Sequence, residues 1–153
     1  MLCVKTKTGL SPIHGIGLFA DEPIPKGTVI WKFLPGFDLA LTPEQILSFP
    51  KLVQIYLYKY TYKDMRTKEY YFCSDDAKYF NHSEDPNTSD GETKDSEGFT
   101  IAARDIAIGE ELTADYGSFE LHPDPGNVFN EIAKKYQLVD ELDPRLKNKN
   151  QSA

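Results

Sequence analysis

Ten prolines and ten glycines cut these 153 residues into short pieces. Proline fixes φ and lacks the amide hydrogen that a helix interior or a central strand needs, so each one ends an element, starts one or confines it to an edge. The pieces between the breaks are too short for a long helix or a broad sheet. Residues 28–33 (TVIWKF) are β-branched and aromatic and read as a strand. Shorter strand candidates are residues 2–6, 17–20, 37–39, 99–102 and 111–114. Residues 60–62 and 70–72 read as two arms of a hairpin across residues 64–68. Thr42-Pro43-Glu44-Gln45 is a helix start, with Thr as N-cap, Pro at the first helical position and Gln three after the cap. A second helical pattern follows Pro50, with Leu52, Ile55, Tyr56 and Lys59 on one face. A third carries Phe129, Ile132, Ala133 and Tyr136. The expectation is one mainly β domain of several small sheets with short helices. Strands do not alternate with helices as a doubly wound parallel sheet requires.

Charge and cysteine content exclude several functions. The net charge is −7, so the basic face of a nucleic-acid binder is not expected. An acidic surface suits solubility or attraction of a basic peptide. The two cysteines, Cys3 and Cys73, form no Cys-x-x-Cys pair, so no cysteine-rich zinc site and no metal is expected. The first twelve residues contain no long apolar run, which argues against a signal peptide or a membrane anchor. An intracellular, cytoplasmic protein is expected, with the nucleus open. Residues 84–98 carry six acids and one lysine and read as an exposed loop that could attract a basic peptide or be merely solvated.

Three separated segments carry candidate chemistry. His14-Gly15-Ile16-Gly17-Leu18-Phe19 holds a Gly-x-Gly, which lets backbone approach a ligand closely or simply forms a turn. Pro23 and Pro25 forbid the helix that a dinucleotide fingerprint would need. Asn81-His82-Ser83, running on to Pro86-Asn87, offers side chains that tie backbone segments together or orient a polar ligand. No His-x-x-x-His or Gly-x-Ser-x-Gly accompanies it. Residues 103–117 (ARDIAIGEELTADYG) read as a turn and a strand ending at Tyr116, a core tyrosine or a site residue.

In this order, GIGLFA, FNHSEDPN and ARDIAIGEELTADYG resemble the SET-domain protein-lysine N-methyltransferases, in a short single-domain form. The resemblance implies a β-clip-like fold of several small sheets in which the NHS segment and the C-terminal strand cross in a knot-like arrangement, an exception to the usual unthreaded chain. It implies S-adenosylmethionine as methyl donor, with S-adenosylhomocysteine as product. Ile16, Gly17 and Leu18 would touch that cofactor through their main chain. Asn81 and His82 would cradle its methionine and adenine ends. Tyr116 would be the catalytic tyrosine at the methyl-transfer point and would border the cofactor. The partner would be a protein or peptide with a target lysine in a basic context. A non-catalytic module of the same fold, binding peptide or methyllysine, is the alternative.

The chain also departs from that pattern. Glu84 stands where Cys usually follows Asn-His-Ser, Lys78 or Tyr79 stands about where Arg would, and the zinc-binding cysteines after the domain are missing. Residues 1–120 would form the methyltransferase domain. Residues 121–153 would be a helical extension closing the site, with Phe119 or Phe129 against the adenine and the last residues frayed. Phe33 replaces a frequent tyrosine. Tyr58, Tyr60, Tyr62, Tyr71, Tyr79 and Phe80 are the pool from which a lysine channel could be built.

Overall fold

Every sheet among the described residues has two or three strands, in keeping with the spacing of the breaks. The computed structural model describes residues 1–64, 66–91, 98–119 and 126–138. In chain order the strands are β1 (Thr6–Leu10), β2 (Ile16–Ala20), β3 (Val29–Lys32), β4 (Leu39–Leu41), β5 (Thr61–Lys63), β6 (Tyr70–Phe72), β7 (Asn81–His82), β8 (Thr88–Asp90), β9 (Phe99–Ala102) and β10 (Thr113–Ala114). The helices are α1 (Pro43–Ser48), α2 (Lys51–Tyr60), α3 (Tyr116–Phe119) and α4 (Val128–Tyr136), with a 3₁₀ turn at Asp76–Tyr79. The sheets are β1-β2, β3-β9-β8, β4-β6-β5 and the pair β7-β10. This is the expected architecture of several small sheets with short helices. β7 and β10 are parallel, with Asn81 opposite Thr113 and His82 opposite Ala114. That contact joins the two segments expected to cross.

Local chemistry explains where the elements begin. Thr42 Oγ1 accepts from Gln45 N at 3.2 Å, and Gln45 Oε1 accepts from Thr42 N at 2.8 Å, the reciprocal capping box that starts α1. Asn127 caps α4 by accepting from Phe129 N at 3.0 Å, and Val128 N donates to Tyr70 Oη at 2.8 Å. One core gathers Leu18, Ala20, Ile24, Ile30, Ala102, Ile106 and Leu112 beneath the β1–β2 and β3–β9 sheets. A second joins Leu41, Ile46, Leu57 and Tyr70 to Val128, Phe129 and Ile132 of α4.

Several expectations need correction. The first strand runs over Thr6–Leu10 and not residues 2–6, because the turn at Gly15 sets its register against β2, pairing Leu10 with Ile16. Leu2 makes only an isolated bridge to Trp31. Of residues 37–39 only Leu39 is in the strand: Phe37 N and Asp38 N both return to Leu34 O, Asp38 makes an isolated bridge to Pro35, and the ladder starts at Leu39. The stripe Leu52, Ile55, Tyr56 and Lys59 is not the core face of α2. Leu52 is 79% exposed and Tyr56 is 44% exposed, while Gln54 and Leu57 are buried. Gln54 tolerates burial because Nε2 donates to Leu47 O and Phe49 O, and Oε1 accepts from Tyr136 Oη. Residues 84–98 are not all loop: Asn87 and Thr88 are buried and β8 pairs with β9. The acids Glu92, Asp95 and Glu97, the expected boundary after residue 120 and the frayed last residues lie outside the described residues.

Asn87 joins β8 to the approach to β10. Its Oδ1 accepts from Thr113 N at 2.9 Å, its Nδ2 donates to Glu111 O at 2.7 Å, and its own N donates to Thr113 Oγ1 at 3.2 Å. Asn87→Ala would strand Thr113 N and Glu111 O, at about 1–3 kcal/mol for each unmet group. We expect a loss of about 2–4 kcal/mol in urea unfolding with an unchanged slope; a loss under about 0.5 kcal/mol, the range of ordinary surface substitutions, would contradict this role. Arg104, bonded to Glu110, holds that carboxyl down to about 2 from an ordinary 4.5, helped by Asn87 and the Ala107 amide. A carboxyl lowered in the folded state stabilises above its unfolded pKa, and the contribution fades as pH falls from about 4.5 toward 2. Glu110→Gln should therefore flatten the acid limb of the stability profile over that window, and an unchanged limb would contradict it.

Candidate functional site

The β1–β2 turn presents the first site segment. Ser11 Oγ accepts from Ile13 N and His14 N, folding residues 11–14 around a hydroxyl. The same hydroxyl lies 2.8 and 2.9 Å from the two carboxylate oxygens of Glu111 and is its donor. Gly15, at φ +51°, closes the turn, and Ser11 N donates to its carbonyl at 2.9 Å. β2 then runs antiparallel to the approach to β10, with Leu112 N donating to Leu18 O at 2.7 Å. Gly17 sits against this junction. A Cβ there would lie 2.3 Å from Glu111 Oε1 and 3.0 Å from Ser11 Cβ.

Asn81 ties the second segment to the first. Its Nδ2 donates toward Glu111 Oε1 at 2.8 Å, His14 O at 3.1 Å and Ile16 O at 3.3 Å. All three partners are oxygens, so the amide nitrogen must face them and Oδ1 must point away. Among the described residues no donor bonds that Oδ1.

His82 joins the third segment to the second. Its Nδ1 accepts from Tyr116 N at 3.2 Å, which puts the ring hydrogen on Nε2. Asp115 Oδ1 lies 3.8 Å from the same nitrogen. The rings of His82 and Tyr116 are 5.4 Å apart at 50°. Tyr116, at the start of α3, donates its hydroxyl hydrogen to Phe80 O. One residue further on, Gly117 N donates to Asp115 Oδ1, and Ser118 Oγ lies 2.8 Å from Asp90 Oδ2.

The Phe80 side chain belongs to an aromatic cluster with Trp31, Phe33, Tyr62, Cys73 and Ala77. Tyr71 adds an edge contact to Phe33 at 5.1 Å and a tilted one to Tyr62 at 5.9 Å, and its hydroxyl donates to Glu69 Oε2. Burial pushes the Tyr62 hydroxyl well above its ordinary pKa, with Cys73 and the Asp64 and Asp90 carboxylates adding to the shift. Burial likewise lifts the Cys73 thiol to about 12, so it is an inert neutral group. Asp90 is also raised, chiefly by burial. The cluster penalises charge of either sign unless it is partnered.

The structure thus brings Ile16, Gly17, Asn81, His82 and Tyr116 to one junction, with Leu18 buried beneath it. It also sorts the six candidate channel aromatics. Tyr62, Tyr71 and Phe80 are in the cluster, joined by Phe33. Tyr58 packs on Phe129 in the second core, and Tyr60 packs on Tyr79 beside Tyr56. Phe129 is itself core, wedged between Tyr58 and Tyr70, which speaks against an adenine wall there. Nothing is described of the Phe119 side chain. Lys78 Nζ donates to Asp75 O, back across the 3₁₀ turn that the Asp75 carboxylate caps. Sequence reasoning missed Ser11 and Glu111, whereas Asn87 ties backbone segments together as its segment suggested. Two signals were available: a Ser three residues before His14 at a turn, and a second acid after Gly109 in a segment otherwise entering the core.

A family model described as the SET domain matches residues 15–117. No curated protein matches the chain. Among solved structures it resembles Polycomb Repressive Complex 2 of Chaetomium thermophilum bound to GSK126, with 19% identity, a TM-score of 0.60, and coverage of 86% of this chain and 17% of that one. The same complex in an autoinhibited conformation bound to S-adenosylmethionine gives 18% identity and a TM-score of 0.57, covering 88% of this chain and 17% of that chain. A candidate histone methyltransferase of Plasmodium falciparum gives 21% identity and a TM-score of 0.51, covering 74% of this chain and 94% of that one. The chain therefore spans less than a fifth of the Polycomb chains it matches. At these identities the likeness is one of fold.

Gly17→Ala tests the junction directly. The added methyl meets a carboxylate that Ser11 and Asn81 already hold, so the neighbour cannot swing aside. Overpacking of this kind costs about 1–3 kcal/mol, and the loss should appear in urea unfolding. Full retention of stability would mean that the junction is looser than described.

Proposed function

The chain belongs to the SET-domain family, and on that premise we propose that it is a protein-lysine methyltransferase using S-adenosylmethionine. The observation that carries the reading is the convergence of residues 14–18, Asn81-His82 and Tyr116 on one junction, next to a dry aromatic cluster.

The residues fit such a cofactor. Asn81 has committed its amide hydrogens to oxygens of the protein, and its Oδ1 is an acceptor for an ammonium. Ile16 is 48% exposed, so this edge of β2 is open to a ligand. His82, with its hydrogen on Nε2, offers a donor on the side opposite the Tyr116 amide. Residues 16–18 would hold the cofactor by main chain, Asn81 its methionine end and His82 its adenine end. The bound cofactor supplies a methyl group on a sulfonium, ready for in-line displacement by an amine.

The chain's own task is to deliver a neutral lysine. Lysine has a reference pKa of about 10.4, so neutrality at pH 7 costs about 4–5 kcal/mol at ~1.36 kcal/mol per unit. A channel opening beside Phe33, Tyr62, Tyr71 and Phe80 would lower that cost, because burial disfavours the ammonium. The same rings would orient the amine for transfer. Tyr116 donates its hydrogen to Phe80 O, so toward any third group its oxygen acts only as an acceptor. That oxygen, set against developing positive charge at the transfer point, is an electrostatic and orienting element. With a reference pKa of about 10 a tyrosine is a poor base at pH 7, and the proton leaves to water. The substrate is a protein or peptide with its lysine in a basic context, matched by Glu69, Asp90 and Asp115 around the cluster.

Tyr116→Phe keeps the ring and removes the oxygen. Turnover on a lysine-rich peptide should fall on the order of 100-fold, the usual effect of deleting one preorganised polar group. Affinity for S-adenosylhomocysteine, measured by calorimetric titration, should stay within about twofold, or about 0.4 kcal/mol. Unchanged turnover would refute the role of Tyr116. Absence of turnover in the wild type across basic peptides, with cofactor bound, would favour a non-catalytic module.

A further inference from the structure

We propose that Glu111 is a positioning residue that fixes the orientation of the Asn81 side-chain amide and so aims its Oδ1 at the α-ammonium of the cofactor. The inference rests on the cofactor reading above and adds a residue to it. Asn81 Nδ2 faces three oxygens, and the shortest contact, 2.8 Å, is to Glu111 Oε1. The other two are backbone carbonyls at 3.1 and 3.3 Å. The carboxylate is therefore the strongest of the three acceptors and the one that a substitution can remove.

Glu111 is itself held. Ser11 Oγ donates to it from 2.8–2.9 Å and accepts from Ile13 N and His14 N, so the hydroxyl hydrogen has no other use. Gly17 leaves the space that the carboxylate fills, as a Cβ there would stand 2.3 Å from Oε1. Asn87 Nδ2 holds the Glu111 carbonyl at 2.7 Å and fixes the backbone beneath. Ser11, Glu111 and Asn81 form one chain of hydrogen bonds from the β1–β2 turn to β7, ending on an oxygen that no described residue supplies with a donor.

An amide in place of the carboxylate disturbs this without changing its shape. In Glu111→Gln the group left facing Asn81 Nδ2 is a neutral amide, so the shortest and strongest of its three acceptors weakens while the two backbone carbonyls remain. The hold on the orientation of the Asn81 amide loosens, and with it the aim of Oδ1 at the ammonium, while the rest of the cofactor site is untouched.

The test titrates wild type and Glu111→Gln with S-adenosylhomocysteine and with its deaminated analogue, which keeps the carboxylate and lacks the α-amine. We expect the variant to bind S-adenosylhomocysteine about tenfold more weakly, the loss of one charge-assisted hydrogen bond. It should bind the deaminated analogue within about twofold of wild type. Ser11→Ala, which loosens the carboxylate and leaves its charge, should show the same selectivity with a smaller loss. Equal weakening of both ligands would reduce Glu111 to a structural role and overturn the proposal, as would no weakening of either. Failure of the wild type to bind S-adenosylhomocysteine would instead remove the cofactor reading, and the inference with it.

Discussion

Two asparagine side chains hold this fold at the place where it is weakest. β7 and β10 are parallel, two residues each, and separated by the whole of residues 83–112. Parallel neighbours need a long crossover, and a ladder this short contributes few bonds of its own. Asn87 supplies the missing bonds on one side, to Thr113 and Glu111. Asn81 supplies them on the other, to His14, Ile16 and Glu111. Buried amides are costly when unmet and specific when met, so the same groups that join the segments also fix their register.

The site follows from that junction. Once β7 lies beside β10, His82 stands under the Tyr116 amide and Phe80 offers its carbonyl to the Tyr116 hydroxyl. The aromatic cluster comes next to it because Phe80 belongs to both. Polar groups with committed partners line one side and apolar rings the other, the arrangement expected of a site that holds a charged ligand and a desolvated amine together.

Much of this was legible in residue order, and the parts that were not share a cause. The capping box at Thr42, the α4 stripe and the β5–β6 hairpin are local, carried by spacing within a few residues, and the structure has them. The family was legible because three motifs kept their order. The face of α2 was misread because Gln54 is buried through hydrogen bonds that only the tertiary fold provides, while Leu52 is left outside. β8 was hidden in an acidic stretch because Thr88 is buried by pairing with β9, not by its own hydropathy. The role of Glu111 was not readable for the same reason: its partners, Ser11 and Asn81, are 100 and 30 residues away.

The central claim is that three distant segments form one binding site. Its most direct test is a titration of the ¹⁵N-labelled protein with S-adenosylhomocysteine, followed by amide chemical shifts. The account predicts saturable shifts concentrated at residues 16–18, 81–83 and 116–117, moving together with one affinity. Saturable shifts confined to one of these segments, or centred on the exposed face of α2, would contradict it, as would no shifts at all.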